Sequence, residues 1–155
     1  LGINFNNPVS QGILRLTSPL VIPVRRIVPP IGKVDTATLL VAFGIQYLSI
    51  FIIVLIMGLT PSILPITITA VVELAILTIR LFVFAIIIRI VLSWVSPAGS
   101  YNPAIAIVDA ITEPVLRPFR RLVPSIGGLD ISPIFAIILL SAAAILISGL
   151  KQVHY

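Results

Sequence analysis

The chain has 155 residues, 59% hydrophobic and 10% charged, where a soluble domain carries roughly 25% charged residues. With no cysteine and one histidine, His154, it cannot form disulfides, thiolate metal sites, iron–sulfur ligation or cysteine nucleophiles, nor a bis-histidine haem within one copy. The formal charge of +5 is spread among proline and aliphatic residues beside long apolar blocks, which fits anionic lipid headgroups and argues against nucleic acid.

Residues 1–35 open the chain as a basic, proline-rich segment with Arg15, Arg25, Arg26 and Lys33, and Asn7-Pro8 reads as a helix start. A charge-free span is predicted over 36–57, ended by Gly58 with Pro61 and Pro65 just beyond, and the 58–65 turn is short and uncharged. A second span is predicted over 66–95, about 45 Å of continuous helix and longer than a hydrocarbon core, closed by Trp94 as an interface anchor. Residues 96–130 are again basic and proline-rich, with Asn102-Pro103 as a second helix start and Arg117, Arg120 and Arg121 near the end. A third span is predicted over 131–150, with Ser132 as its cap, Pro133 in its first turn and Lys151 closing it. Backbone at the lipid surface must satisfy its own polar groups, so both proline-rich segments are expected to lie at the interface and hold short helices.

The two basic segments match one another. Displaced by 95 positions without a gap, Asn7, Pro8, Thr17, Pro19, Pro23, Arg25, Arg26, Val28, Pro29, Ile31, Gly32 and Asp35 fall on Asn102, Pro103, Thr112, Pro114, Pro118, Arg120, Arg121, Val123, Pro124, Ile126, Gly127 and Asp130. Identities of this kind do not follow from shared hydrophobicity, so the chain is read as two copies of one unit. The first occupies 1–57 (elbow 1–35, span 36–57) and the second 66–150 (span 66–95, elbow 96–130, span 131–150). The helix that precedes the second elbow has no counterpart before the first, so a further helix is expected upstream of Leu1 in the native product.

The stretches Arg89-Ile-Val-Leu-Ser-Trp94, Glu113-Pro114-Val-Leu-Arg-Pro118-Phe-Arg120-Arg121 and Pro124-Ser-Ile-Gly127-Gly128-Leu-Asp130-Ile-Ser132-Pro133, with their first-copy equivalents, resemble the YggT family, also called YlmG-like, of bacterial and plastid membrane proteins. The resemblance covers nearly the whole chain. It implies links to osmotic-stress tolerance and cation uptake, and, through plastid and Gram-positive relatives, to cytochrome maturation, nucleoid distribution and division. It implies no shared catalytic residue.

Three groups of residues are candidates for function. Arg25, Arg26, Lys33, Arg117, Arg120 and Arg121 form the basic elbows, suited to lipid headgroups or to docking on a larger membrane complex. Glu73, Arg80 and Arg89 are ionisable residues within or at the edges of the second span, where charge is costly. Glu73 and Arg80 share a helix face and are expected to compensate one another through a water or a third side chain, whereas Arg89 is expected to snorkel to the headgroups. Asp109 and Glu113 are explained as a solvated face with Arg117 one turn beyond, and no base, nucleophile or metal ligand accompanies them.

These features predict an all-α membrane protein of three spans built from a parallel tandem repeat, multi-pass in a bacterial inner membrane, with no enzymatic activity, metal or cofactor. Two spans separate one elbow from the next, and the positive-inside bias puts both elbows in the cytoplasm. The favoured function is an accessory or assembly protein whose elbows bind lipid and a partner membrane complex. The alternative is a cation channel or transport component in osmotic stress, with Glu73 and Arg80 near the pathway.

Overall fold

The computed structural model describes residues 8–28, 30, 35–95, 103–122 and 130–151. They form five helices, α1 (Pro8–Ile27), α2 (Thr36–Ile56), α3 (Ile63–Val95), α4 (Pro103–Leu122) and α5 (Ser132–Ser148), with no strand among the described residues. Two packing units divide the chain. One contains Leu77–Leu146, hence the second part of α3, α4 and most of α5; the other contains Pro8–Ile76 and the residues from Ile147, hence α1, α2 and the first part of α3.

Each proline-rich segment contains a helix, as expected, but one of 20 residues that is longer than the short helices anticipated, and each begins at the proline of its Asn-Pro pair. Each is amphipathic, ends in an Arg-Arg pair and holds two prolines four apart: Pro19 and Pro23 in α1, Pro114 and Pro118 in α4. Proline has no N–H, so the carbonyls of Arg15 and Pro19, and of Ala110 and Pro114, lose their regular helical donors. All four prolines are exposed, and a helix face with freed carbonyls is tolerated where water or headgroups can reach it, not in hydrocarbon.

The apolar helices α2 and α3 have 21 and 33 residues and are long and apolar enough to cross a membrane. Only 11% and 17% of their apolar windows are covered by the rest of the protein, so they are not the core helices of a soluble fold, and they point to membrane association. The three-span expectation is corrected here. α5 is apolar but only 17 residues long, about 26 Å at ~1.5 Å per residue against a core of ~30 Å, which leaves two helices of spanning length among the described residues. α5 is short because its N-terminus is fixed at Ser132 by Asp130 and its helical bonding ends at Ser148, whose carbonyl accepts from Lys151. α3 starts at Ile63, three residues before the predicted Ile66, because Pro65 falls in the first turn, where a missing N–H costs nothing.

The end of α2 explains the turn that follows. Gly58 adopts φ +71°, its N–H donates to the Leu55 carbonyl, and the Leu59 N–H donates to the Val54 carbonyl, so the helix stops in a Schellman motif. The turn leads into α3 without a charged residue.

Each unit has its own small core. In one, Ile50 and Val54 of α2 bury against Ile66 and Ala70 of α3, with Phe43, Tyr47 and Phe51 packed at the side, while α1 lies along α2. In the other, Ile86 of α3, Leu116 of α4 and Ala136 of α5 meet, flanked by Ile90, Val115, Phe119, Ile137 and Leu140.

Open space surrounds the missing Cβ of Gly58, so any cost of substitution there is conformational. Gly58→Ala is expected to lower stability by about 1 kcal/mol and Gly58→Asn by less, since asparagine visits the left-handed region more readily. Thermal unfolding in mild detergent measures both, and equal stability of Gly58→Ala and wild type would contradict the assignment.

Candidate functional site

The inward face of α4 carries the largest polar assembly among the described residues. Asp109, Thr112, Glu113, Leu116 and Arg120 recur at helical spacing, so one stripe holds two carboxylates, a hydroxyl, a buried leucine and an arginine. Arg89, from the C-terminal part of α3, enters this stripe. Its Nε lies 2.8 Å from Asp109 Oδ1, and its Nη1 donates to Thr112 Oγ1 at 3.0 Å and to Glu113 Oε2 at 3.4 Å. Thr112, fully buried, passes its own hydroxyl proton to the Val108 carbonyl at 2.7 Å.

Glu113 is shared, because Arg120 Nη1 reaches the same Oε2 at 2.8 Å. Arg120 Nε in turn reaches Asp130 Oδ2 at 2.8 Å, and Asp130 Oδ1 accepts from Ser132 N at 3.0 Å and Ser132 Oγ at 2.5 Å. One chain of charges therefore runs Asp109, Arg89, Glu113, Arg120, Asp130 and ends on the first turn of α5. Beside it, Arg89, Ser93, Trp94, Arg120, Asp130 and Ile134 help line an open cleft of about 510 Å³.

The other unit shows a reduced form of the same arrangement. Arg25 of α1 pairs with Asp35, whose Oδ2 also accepts from Thr38 Oγ1 at 2.8 Å while its Oδ1 caps the Thr38 N–H of α2. Arg25 and Asp35, like Arg120 and Asp130, are ten residues apart. The positions of α1 that correspond to Asp109 and Glu113 are Leu14 and Ser18, which with Thr17, Val21 and Arg25 line an open cleft of about 400 Å³ against α2.

These contacts sort the basic elbow residues into two kinds. Arg25 and Arg120 are committed to internal carboxylates, whereas Arg26, Arg117 and Arg121 are exposed and pair with nothing among the described residues. Lys33 lies outside the described residues, as do Asn7, Asn102 and residues 31–34 and 123–129. Trp94 is 79% exposed at the end of α3, where an interfacial anchor belongs.

Four expectations are corrected. Arg89 does not snorkel freely; α4 offers it two carboxylates and a hydroxyl at the right level. Glu113 does not pair with Arg117 one turn on, because Arg89 and Arg120 occupy it from the inward face. Ser132 is not the cap of α5; it is the first helical residue, and Asp130 caps it. Glu73 is met by Lys151 Nζ at 2.5 Å instead of by Arg80, which is exposed and bonds to nothing among the described residues. The structural importance of Asp35, Asp109 and Asp130 was not foreseen, although the identity of Asp35 with Asp130 across the repeat was the available signal.

The profile of a family described as CCB3/YggT matches residues 2–56 and 68–151. The Pseudomonas aeruginosa protein PA0392 is 44% identical over 146 residues, 93% of this chain and 74% of that protein. The Escherichia coli K12 protein YggT is 36% identical over 138 residues, 88% of this chain and 70% of that protein. A Vibrio alginolyticus protein is 35% identical over 134 residues, covering 83% and 70% of the two chains. No solved structure matches the chain.

The carboxyl of Asp35 is held below its ordinary value of 3.8 by hydrogen bonds from the side chains of Arg25 and Thr38. For Asp130, burial pushes the other way, and the hydrogen bonds from Ser132 together with Arg120 outweigh it, so this carboxyl also titrates below 3.8. A depressed folded-state pKa contributes stability that is present above the unfolded value and lost as pH falls through the folded one. Unfolding followed by pH is therefore expected to show little loss from these groups above 3.8 and a decline below it, and Asp130→Asn should remove its share of that decline. The pairs are partly exposed, so a double-mutant cycle of Arg89→Met with Glu113→Gln is expected to give a coupling of only about 0.5–1 kcal/mol.

Proposed function

Because the chain belongs to the CCB3/YggT family and presents two amphipathic basic helices alongside two helices of spanning length, we propose that it is an integral inner-membrane accessory protein, built as two copies of one unit of elbow and apolar helix, whose elbows rest on anionic headgroups and dock a larger membrane complex. The observation that carries this reading is the division of labour within each Arg-Arg pair. The first arginine braces the elbow to the aspartate that starts the next apolar helix, and the second, Arg26 or Arg121, is left exposed beside apolar residues such as Ile22, Ile27 and Leu122. A cation held outward next to exposed apolar side chains is the chemistry of a helix lying in a headgroup layer. Proline at matched positions limits the freedom such a surface loses on binding.

A transport role draws no support from the intramembrane acid, since Glu73 is already neutralised by Lys151. With α2 and α3 both crossing, the two elbows lie on one side, and the excess of Lys and Arg in the elbows makes that side cytoplasmic.

Two measurements test this. The absence of cysteine allows single replacements: a cysteine at Thr60, in the exposed α2–α3 turn, is expected to react with an impermeant reagent added outside intact cells, and one at Gln11 of α1 only after permeabilisation. The reverse pattern would overturn the orientation. In mild-detergent purification from native membranes, Arg26→Ala with Arg121→Ala is expected to insert normally and lose a stoichiometric partner complex, whereas Arg25→Ala with Arg120→Ala should also lower stability. Recovery of the same complex at wild-type yield by the Arg26/Arg121 variant would leave the elbows as lipid anchors alone.

A further inference from the structure

The cleft beside the charge chain of α4 keeps polar capacity that the described residues do not use. Arg89 and Arg120 lie along it, only 19% and 35% exposed, and each commits its Nε and Nη1 to carboxylates or to Thr112. The Nη2 amino group of each bonds to nothing among the described residues, so two fixed cationic edges remain. Asp130, also on the cleft and 45% exposed, accepts from Ser132 N and Oγ at its Oδ1 and from Arg120 Nε at its Oδ2. A carboxylate offers about four acceptor positions, which leaves one on Oδ2. The exposed indole of Trp94 lines the same cleft and offers a cation its ring face.

The remaining wall is apolar, from Ile90 of α3 and from Pro133 and Ile134 of α5. A soluble ion gains nothing from such a wall, whereas an acyl chain does. Charge narrows the ligand further. From Asp109 to Asp130 three carboxylates stand against two guanidiniums, a net negative charge that does not favour a ligand which is itself a net anion. A zwitterion adds no net charge: its phosphate meets the two Nη2 edges, and its cation meets Oδ2 of Asp130 and the Trp94 ring. A primary ammonium donates a hydrogen bond to that oxygen, and a trimethylammonium has no N–H to give.

We propose that this cleft is the binding site for one ethanolamine phospholipid, with the phosphodiester on Arg89 and Arg120, the ammonium at Asp130 and Trp94, and acyl chain along Ile90 and Ile134. This rests on the reading of α4 as a helix in the headgroup layer, and adds to that general contact a single bound lipid chosen by its headgroup.

Trp94 is the single tryptophan of the chain, so its fluorescence reports the cleft directly. The full chain is reconstituted in phosphatidylcholine vesicles in which a minor lipid, phosphatidylethanolamine, phosphatidylglycerol or phosphatidylcholine, carries dibrominated acyl chains that quench tryptophan. High salt screens the attraction of anionic lipid to the exposed arginines. From the dependence of quenching on mole fraction, the ethanolamine lipid is expected to bind about fivefold more tightly than the choline lipid, the worth of one net hydrogen bond. Ser93→Phe narrows the cleft and removes only a hydroxyl bonded to the Ile90 carbonyl, so it should abolish the preference with every ion pair intact. Arg89→Gln, which removes one guanidinium, should weaken it. Equal quenching by ethanolamine and choline lipids, stronger quenching by the glycerol lipid, or an ethanolamine preference that survives Ser93→Phe overturns the proposal. So does displacement of the brominated lipid by glycerophosphoethanolamine, which would make the cleft a site for the soluble phosphodiester. The two ways of failing are separable. Quenching by all three lipids without preference removes the cleft site alone; quenching by none of them, together with quenching by aqueous iodide, removes the headgroup-layer reading with it.

Discussion

An aspartate at the start of an apolar helix, held by an arginine ten residues earlier, is the contact on which the other features of each unit depend. Asp35 and Asp130 each do two things: they accept the first backbone or hydroxyl protons of α2 or α5, and they neutralise Arg25 or Arg120 at the end of an amphipathic helix. A helix N-terminus favours negative charge, and the arginine keeps that charge in place at the end of a surface helix. The pair thus ties a helix suited to the headgroup layer to one suited to hydrocarbon and fixes where the second begins. In the unit that contains α4, the brace extends through Glu113 to Arg89, so three helices are joined by one set of alternating charges.

Much of this is legible in the sequence itself. α1 and α4 begin at Pro8 and Pro103 because proline needs no helical donor, and their prolines and Arg-Arg pairs align across the repeat. What was missed are contacts between elements. Glu113 has Arg117 one turn away in sequence, yet the inward face of α4 turns it toward Arg89, 24 residues earlier in the chain. Ser132 has the composition of a cap, yet it is the first residue of α5, and its own N–H and hydroxyl both donate to the charged Oδ1 of Asp130. Glu73 and Arg80 share a face, but two helical turns are about 11 Å, and Lys151 offers Glu73 a cation without that stretch. The shortfall of α5 as a span was hidden because hydropathy continues past Ser148 while the helix does not.

The split between committed and exposed arginines alters how the elbows should be regarded. Counted as a patch, Arg25, Arg26, Arg120 and Arg121 are four equivalent cations. Arg25 and Arg120 are already neutralised by the fold, so among the described residues the outward charge of the elbows resides in Arg15, Arg26, Arg117 and Arg121. Charge reversal at the first kind would act through helix start sites, and at the second kind through whatever lies outside the protein.

The Schellman turn after α2 bears on biosynthesis. Residues 57–62 carry no charge and no room for a domain, and Gly58 reverses the chain at once. If α2 and α3 cross the membrane as proposed, a translocation channel that retains basic segments would find nothing to hold there, while basic segments precede α2 and follow α3. The two helices would then leave the channel as a single helical hairpin, drawn in by their combined apolar surface, with the contact of Ile50 and Val54 on Ile66 and Ala70 able to form as soon as the turn closes. Insertion of the first unit would in that sense be coupled to its folding, before the second elbow has been synthesised.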